Sequence, residues 1–385
     1  MQFRKDNCAF FIEIEERMFH MKRELGISIY PDHSDPVKDK EYVKKAADLG
    51  FSRLFMSMLE ITGGKEKTAE KFKDIIMYAR KLGFEVILDI NPGIFKQLDI
   101  SYDDLGFFAE LGASGIRLDE GFDGLKESLI SYNPYGLNIE LNMSNNVDYL
   151  DNILSYQANE PFIYGCHNFY PQEGTGLPYD FFVECSKRFK KYGIKTSAFV
   201  TSQDATGGPW SVNDGLPTLE MHRHMPIELQ AKHLFATNLI DTVIIGDAYA
   251  SDEELKKLAE LDRYCVTLDV DFLPEINPVE AQIVEDNLHF RRGDITDQFI
   301  RSTQVRVKYA HQDNPPHNNE FKFEKGDVVV GNDEFGRYKN ELQIVLTSQV
   351  DPRKNLVAKI AKEELFLLDY IKPWSKFKFK NRANK

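Results

Sequence analysis

The sequence predicts an α/β fold, a (β/α)8 TIM barrel followed by a smaller, mostly β C-terminal domain. Three observations predict it. Between residues 26 and 262, short apolar segments alternate eight times with segments of helical spacing, and strands that alternate with helices pair in parallel. Eight units in about 235 residues match the size of a closed barrel. No GxGxxG or GxxxxGK[ST] follows any strand candidate, so the phosphate-binding turn of a doubly wound open sheet is missing.

The elements follow in order. GISIYP (26–31) is the first strand, and PVKDKEYVKKAADLG after it is a helix with Pro36 in its first turn and Gly50 as its stop. SRLFMSM (52–58) precedes the helix KEKTAEKFKDIIMYARKLG. FEVILDINP (84–92) precedes a helix over 102–112, and GIRLDEG (115–121) one near 122–131. LNIELNMS (137–144) leads into VDYLDNILSYQA. FIYGCHNFYP (162–171) starts apolar and ends polar, and leads into YDFFVECSKRFKKYG, where Phe181, Cys185 and Phe189 share a helix face. KTSAFVTSQ (195–203) is followed by a long loop and the helix PIELQAKHLFATN. DTVIIGDAYA (241–250) and SDEELKKLAELD close the series. Beyond residue 262 the segments CVTLDVDFL, VRVKYA, GDVVVGND, ELQIVLTSQ and NLVAKIA read as short strands of a second domain, 263–385.

Composition bounds the function. The chain has 385 residues and a net charge of −13, which argues against a broad nucleic-acid or anionic-membrane surface. No apolar run approaches the roughly 20 residues of a membrane span. The four cysteines, Cys8, Cys166, Cys185 and Cys265, form no CxxC, which fits a reducing compartment. Residues 1–20 carry Glu13, Glu15 and Glu16 within their apolar patch, unlike a signal-peptide core. They are expected to be an upstream start or a loose arm before the barrel, 21–262. The basic end, KPWSKFKFKNRANK, is expected to be a solvated tail.

Barrel enzymes place their chemistry at the C-terminal ends of the strands, and residues two apart on a strand share a face. Asp89 and Asn91, Arg117 and Asp119, Asn138, Glu140 and Asn142, and Asp247 therefore stand near one mouth, with His167 or Asn168 added according to register. Packing alone prefers Val, Ile and Leu inside such barrels; an internal ion-pair network through Arg117 is the plain alternative. The loop 204–225 carries Trp210, Glu220, His222, Arg223 and His224, an aromatic with hydrogen-bond formers that suits a sugar ring. A Schiff-base aldolase lacks a strand-end lysine, and a serine hydrolase lacks its GxSxG elbow. A glycoside hydrolase needs two carboxyl groups flanking the bond, for which Asp119 and Glu140, on adjacent strands, are the expected pair. A metal-dependent sugar-phosphate isomerase or epimerase, and a non-enzymatic phospho-sugar-binding protein, stay open as alternatives.

GISIYP, GIRLDEGF, HNFYP followed by TGL, GLPTLEMHR, FRRGDITD and GRYKNELQI together resemble the 6-phospho-N-acetylmuramidase family, in order and over nearly the whole chain. The resemblance implies a cytoplasmic hydrolase with a TIM barrel and a cyclophilin-like C-terminal domain. Its substrate would be the small phosphorylated disaccharide 6-phospho-N-acetylmuramyl-N-acetylglucosamine, cut at the β-1,4 bond in cell-wall recycling, with no cofactor and no metal. On that basis Arg117, Arg223 and Arg337 are expected near the phosphate or the lactyl carboxylate. His167, Asn168, Asn142, Trp210, Glu220 and His222 are expected around the sugar, with Asp89 and Asp247 as supporting or alternate carboxyls. Asn340 stands where the family pattern has Gly, and Asn tolerates a left-handed turn.

Overall fold

In the computed structural model, which describes residues 23–205, 207–320 and 322–384, the eight expected strands close into one parallel barrel, each bonded to the next and the last to the first. They are β1 (Glu24–Ile29), β2 (Arg53–Ser57), β3 (Glu85–Ile90), β4 (Gly115–Leu118), β5 (Asn138–Asn142), β6 (Ile163–Cys166), β7 (Lys195–Val200) and β8 (Thr242–Ile245). The arm expected over residues 1–20 lies outside the described residues. Local signals set the helix ends. Asp35 accepts from the Val37 and Lys38 amides ahead of Pro36, and Ser251 forms a capping box with Glu254. The expected helix over 102–112 is shorter, Gly106–Leu111. An additional helix, Pro92–Gln97, is capped by Asn91.

Strand alternation separates two environments. Leu25, Ile27 and Ile29 of β1 and Val86, Leu88 and Ile90 of β3 face outward into the main core. Inside, Tyr30, Phe55, Cys166, Phe199 and Ile244 form a smaller apolar cluster on the side of β1, β2, β6, β7 and β8. The side of β3, β4 and β5 carries Asp89, Arg117 and Glu140 at paired register positions. Gly26 makes room for the polar side: a Cβ there would lie 2.9 Å from the Cβ of Arg53, whose long side chain is buried inside the barrel.

The chain divides into two compact units, the second being Asp262–Lys385. Its seven-stranded sheet runs β10–β15–β9–β14–β12–β13–β11. The strands are β9 (Val266–Phe272), β10 (His289–Phe290), β11 (Phe299–Ser302), β12 (Asp327–Gly331), β13 (Leu342–Val345), β14 (Lys354–Ile360) and β15 (Lys376–Asn381). Two expectations are corrected here. VRVKYA is not a strand: Gln304–Lys308 is helical, because Val305 and Tyr309, four apart, are buried while Val307 is 67% exposed. The basic end is not a solvated tail: β15 pairs in parallel with β9, and Phe377 and Phe379 are buried between outward lysines. The alternation KFKFK was the strand signal, masked by its charge. Asn340 does adopt the left-handed conformation, φ 61°. Its amide donates to the carbonyls of Tyr309 (2.8 Å) and Gln312 (3.0 Å), bonds a glycine could not make.

Phe377→Ala is expected to cost the second unit about 3–5 kcal/mol, read as a lowered Tm in thermal unfolding; a solvated tail would leave Tm unchanged.

Candidate active site

Arg117 is the centre of the polar half. It sits mid-barrel on β4, 2% exposed, and a buried guanidinium persists only where acceptors surround it. Its Nη1 donates to Oδ1 of both Asp89 and Asp119, the latter at 3.2 Å, and its Nη2 donates to Asn168 Oδ1. Asp119 is fixed by its own backbone, whose amide donates to Ile90 O at 2.9 Å and extends the β3–β4 ladder by one residue. Asn142 Nδ2 donates to the Asp119 carbonyl at 3.0 Å. One guanidinium thus joins β3, β4 and the segment after β6.

The two carboxyls differ in surroundings. The Asp119 side chain is 32% exposed, that of Asp89 4%. Burial pushes Asp89 up to about 7; Arg117 opposes this, and the neighbouring Asp119 adds to it. At neutral pH Asp89 therefore holds a proton for part of the time, beside a solvent-facing carboxyl. The register pairs Asp89 with Ser57 on β2. Ser57 lines a hollow together with Tyr30, Asp32, His33, Glu60 and Pro209.

Glu140 does not stand beside Asp119. It is level with Arg117, one layer deeper than the mouth, and is fully buried. Its Oε2 accepts from Nη2 of Arg53, whose Nη1 donates to Glu85 at 2.7 Å. Lys195 joins this lower layer, 2.7 Å from Glu24. Sharing a strand face placed Glu140 inside the barrel as expected; the depth at which it sits was not readable from alternation.

The other expected residues fall into three groups. Asn91, Asn142 and Asn168 lie at the strand ends, although Asn91 spends its side-chain oxygen on the Ile94 amide. Trp210, 37% exposed, lies 5.7 Å from the ring of Phe169, which packs edge-on against Phe55 and Phe199. An aromatic wall thus rises from the apolar half. Asp247 is buried and accepts from Thr201 Oγ1 (2.8 Å) and the Ser202 amide (3.0 Å), and burial pushes it up to about 7.

The remaining five serve the scaffold or lie elsewhere. His167 faces outward: its ring bonds Ser144 and Ser186 and packs on Phe182, and burial pulls it down to about 3, so it stays neutral. His222 is buried with its Nε2 2.7 Å from His233 Nδ1. Arg223 is 2% exposed, grips Glu220 through two nitrogens, and donates to the carbonyls of Tyr170, Gln172, Asp214 and Gly215. Glu220 also accepts from the Gly174 and Gly176 amides, and the bonds from Arg223 first, then those from the amides, hold it down at about 2. This pair pins the 204–225 loop to the loop after β6, leaving Arg223 committed to the loop rather than to a phosphate. Arg337 lies in the second unit, exposed. Arg53, Ser57 and Phe169 were missed. For Arg53 and Ser57 the signal was present, since both share the inward face of Phe55.

Among the described residues no three His, Cys, Asp or Glu side chains come together as ligands for one ion, and no helix is long and apolar enough to cross a membrane. Residues 25–260 match the family model described as 6-phospho-N-acetylmuramidase, N-terminal, and residues 266–380 match its C-terminal counterpart. The chain belongs to the 6-phospho-N-acetylmuramidase family. No curated protein matches it. An uncharacterized B. cereus protein of known structure is 55% identical, with TM-score 0.87, covering 94% of this chain and 100% of that one. A conserved Enterococcus faecalis protein with an unknown function shares the fold at 24% identity and TM-score 0.67, covering 94% and 97%. The family thus spans both units, and its name implies a glycosidase acting on a phosphorylated sugar.

Arg53→Met is expected to cost about 3–5 kcal/mol by leaving Glu140 buried without its partner, read by chemical denaturation. Adding Glu140→Leu should restore most of the loss; no recovery would mean that Glu140 is not held by Arg53.

Proposed function

We propose that this protein hydrolyses the β-1,4 bond of 6-phospho-N-acetylmuramyl-N-acetylglucosamine, as the family name and the resemblance imply, at the barrel mouth around Arg117. The observation that carries this reading is the binding of two carboxyls of unlike environment to one guanidinium nitrogen. Two oxygens held on one nitrogen lie within about 6 Å of each other, close to the separation of a retaining pair.

Asp119, the exposed member, is the group that meets the anomeric carbon. Arg117 keeps it aimed, and the attack of the Asp119 carboxylate forms a glycosyl ester as the bond to the leaving oxygen breaks. Asp89, in its protonated form, supplies the proton that the leaving oxygen takes up, and as a carboxylate it then draws a proton from the water that releases the sugar. Glu140 takes a positioning role, fixing Arg53 beneath the layer that holds Arg117. Asn142, Asn168 and the Trp210–Phe169 wall suit a sugar ring, with polar groups for hydroxyls and an aromatic for the C–H face. Recycling of cell-wall fragments in the cytoplasm is the setting this substrate implies.

The direct test is incubation with phosphorylated and plain muramyl disaccharides, with and without chelator. Sugar release from the phosphorylated substrate alone, unaffected by chelator, is expected; chelator-sensitive isomerisation would favour the metal-dependent alternative, and binding without turnover the binding protein. Asp119→Asn is expected to lower kcat at least about a hundredfold with KM changed only a few-fold; near-normal turnover removes Asp119 from the reaction. Because Asp89 is protonated below about 7 and ionised above it, kcat is expected to fall as pH rises through that value. Asp89→Asn should abolish that limb; a limb that survives in the variant belongs to another group.

A further inference from the structure

The second unit carries a cluster of cations that its own acids do not neutralise. Arg301 on β11, Gln343 on β13 and Val329 on β12 are direct cross-strand neighbours and so share one face of the sheet. Glu341, fully buried at the start of β13, accepts from Arg301 Nε at 2.8 Å and from Arg306 Nη1 at 2.6 Å. Neither guanidinium is sealed off, their side chains being 22% and 17% exposed. The ring of Tyr338 lies under both, at 5.8 and 5.1 Å.

Lys354, at the head of β14, is 3% exposed. Its Nζ stands 3.8 Å from the ring centre of Phe299 and 5.5 Å from that of Phe335. Its carboxylate neighbour is Asp351, at 3.4 Å, whose oxygens are already gripped by Arg353 at 2.8 and 3.1 Å. Burial disfavours the charge on this ammonium and pulls its titration below that of a free lysine. Arg301, Arg306, Arg353 and Lys354 thus surround two buried carboxylates, Glu341 and Asp351. Asp294, the other acid felt by Arg301, is bonded to Arg292. Gln343, 5% exposed, donates its amide to Glu341 at 2.9 Å and leaves Oε1 buried without a donor.

A surplus of two positive charges, partly exposed guanidinium forks, an acceptor in need of a hydroxyl and two aromatic walls make a combination that packing does not require. We propose that this face of the second unit is a binding site for the phosphomonoester of a sugar. The dianion would lie against Arg301, Arg306 and Lys354, a hydroxyl would donate to Gln343, and the ring would rest on Phe335 or Tyr338. The site stands on the second unit's own residues and does not depend on the chemistry assigned to the barrel.

The test is hydrogen–deuterium exchange of the full chain with glucose 6-phosphate, glucose and inorganic phosphate, alongside calorimetric titration. Glucose 6-phosphate is expected to protect peptides covering 299–306 and 333–343, phosphate more weakly, and glucose not at all. Lys354→Met removes a disfavoured charge while Arg353 still holds Asp351, so the variant should fold, yet bind glucose 6-phosphate at least about tenfold more weakly. Protection confined to barrel peptides, protection unchanged in a folded Lys354→Met, or protection by glucose equal to that by its phosphate would each overturn the site. None of these outcomes bears on whether the barrel hydrolyses its disaccharide.

Discussion

A guanidinium buried inside a barrel needs acceptors, and Arg117 finds them for both terminal nitrogens in three side chains from three different parts of the ring, while its Nε stays buried without one. Removing it from water would cost several kcal/mol without them. Asp89, Asp119 and Asn168 are therefore held together by the same constraint that keeps the polar half of the barrel folded. Arg53 repeats the arrangement one layer down, between Glu85 and Glu140. The two arginines stack charge through the β3–β5 side while aromatics fill the rest. The result is a mouth with one polar wall and one apolar wall, the division that a sugar ring calls for.

This arrangement also accounts for the unlike behaviour of the two carboxyls. Both touch Arg117, but Asp89 is inside the barrel and Asp119 is at its rim. Desolvation pushes the first up, while the second faces solvent. One fold position two residues beyond another is enough to separate a group inclined to hold a proton from one that faces the substrate.

Much of the fold was legible. Period-two and period-3.6 patterns, with Pro36 as a start signal and Gly50 as a stop, place all eight strand–helix units. Errors arose where burial rather than pattern decides. VRVKYA alternates over too few residues to distinguish a strand from a helical turn, and the charge of KFKFK concealed a paired strand. At the site, alternation identified the inward face, so Asp89, Arg117, Asp119 and Glu140 were all recognisable as interior groups. It could not give depth, because the layer in which a side chain ends depends on the stagger between strands. That is why Glu140 proved to be a partner of Arg53. His167, Glu220, His222 and Arg223 bond within the scaffold; polar groups that fasten loops have the same composition as those that bind ligands, and only their partners tell them apart.

The central claim is that Arg117 holds side by side a buried carboxyl that keeps a proton near neutral pH and a second carboxyl that faces solvent. Infrared difference spectroscopy of the carboxylic acid C=O stretch, followed across a pH titration, tests it most directly. In an Asp247→Asn background, which removes the other carboxyl pushed up to about 7, the protein is predicted to show an acid carbonyl band that titrates near 7 and disappears on adding Asp89→Asn while persisting on adding Asp119→Asn. No such band at pH 6, or a band unchanged by the loss of Asp89, would contradict the account.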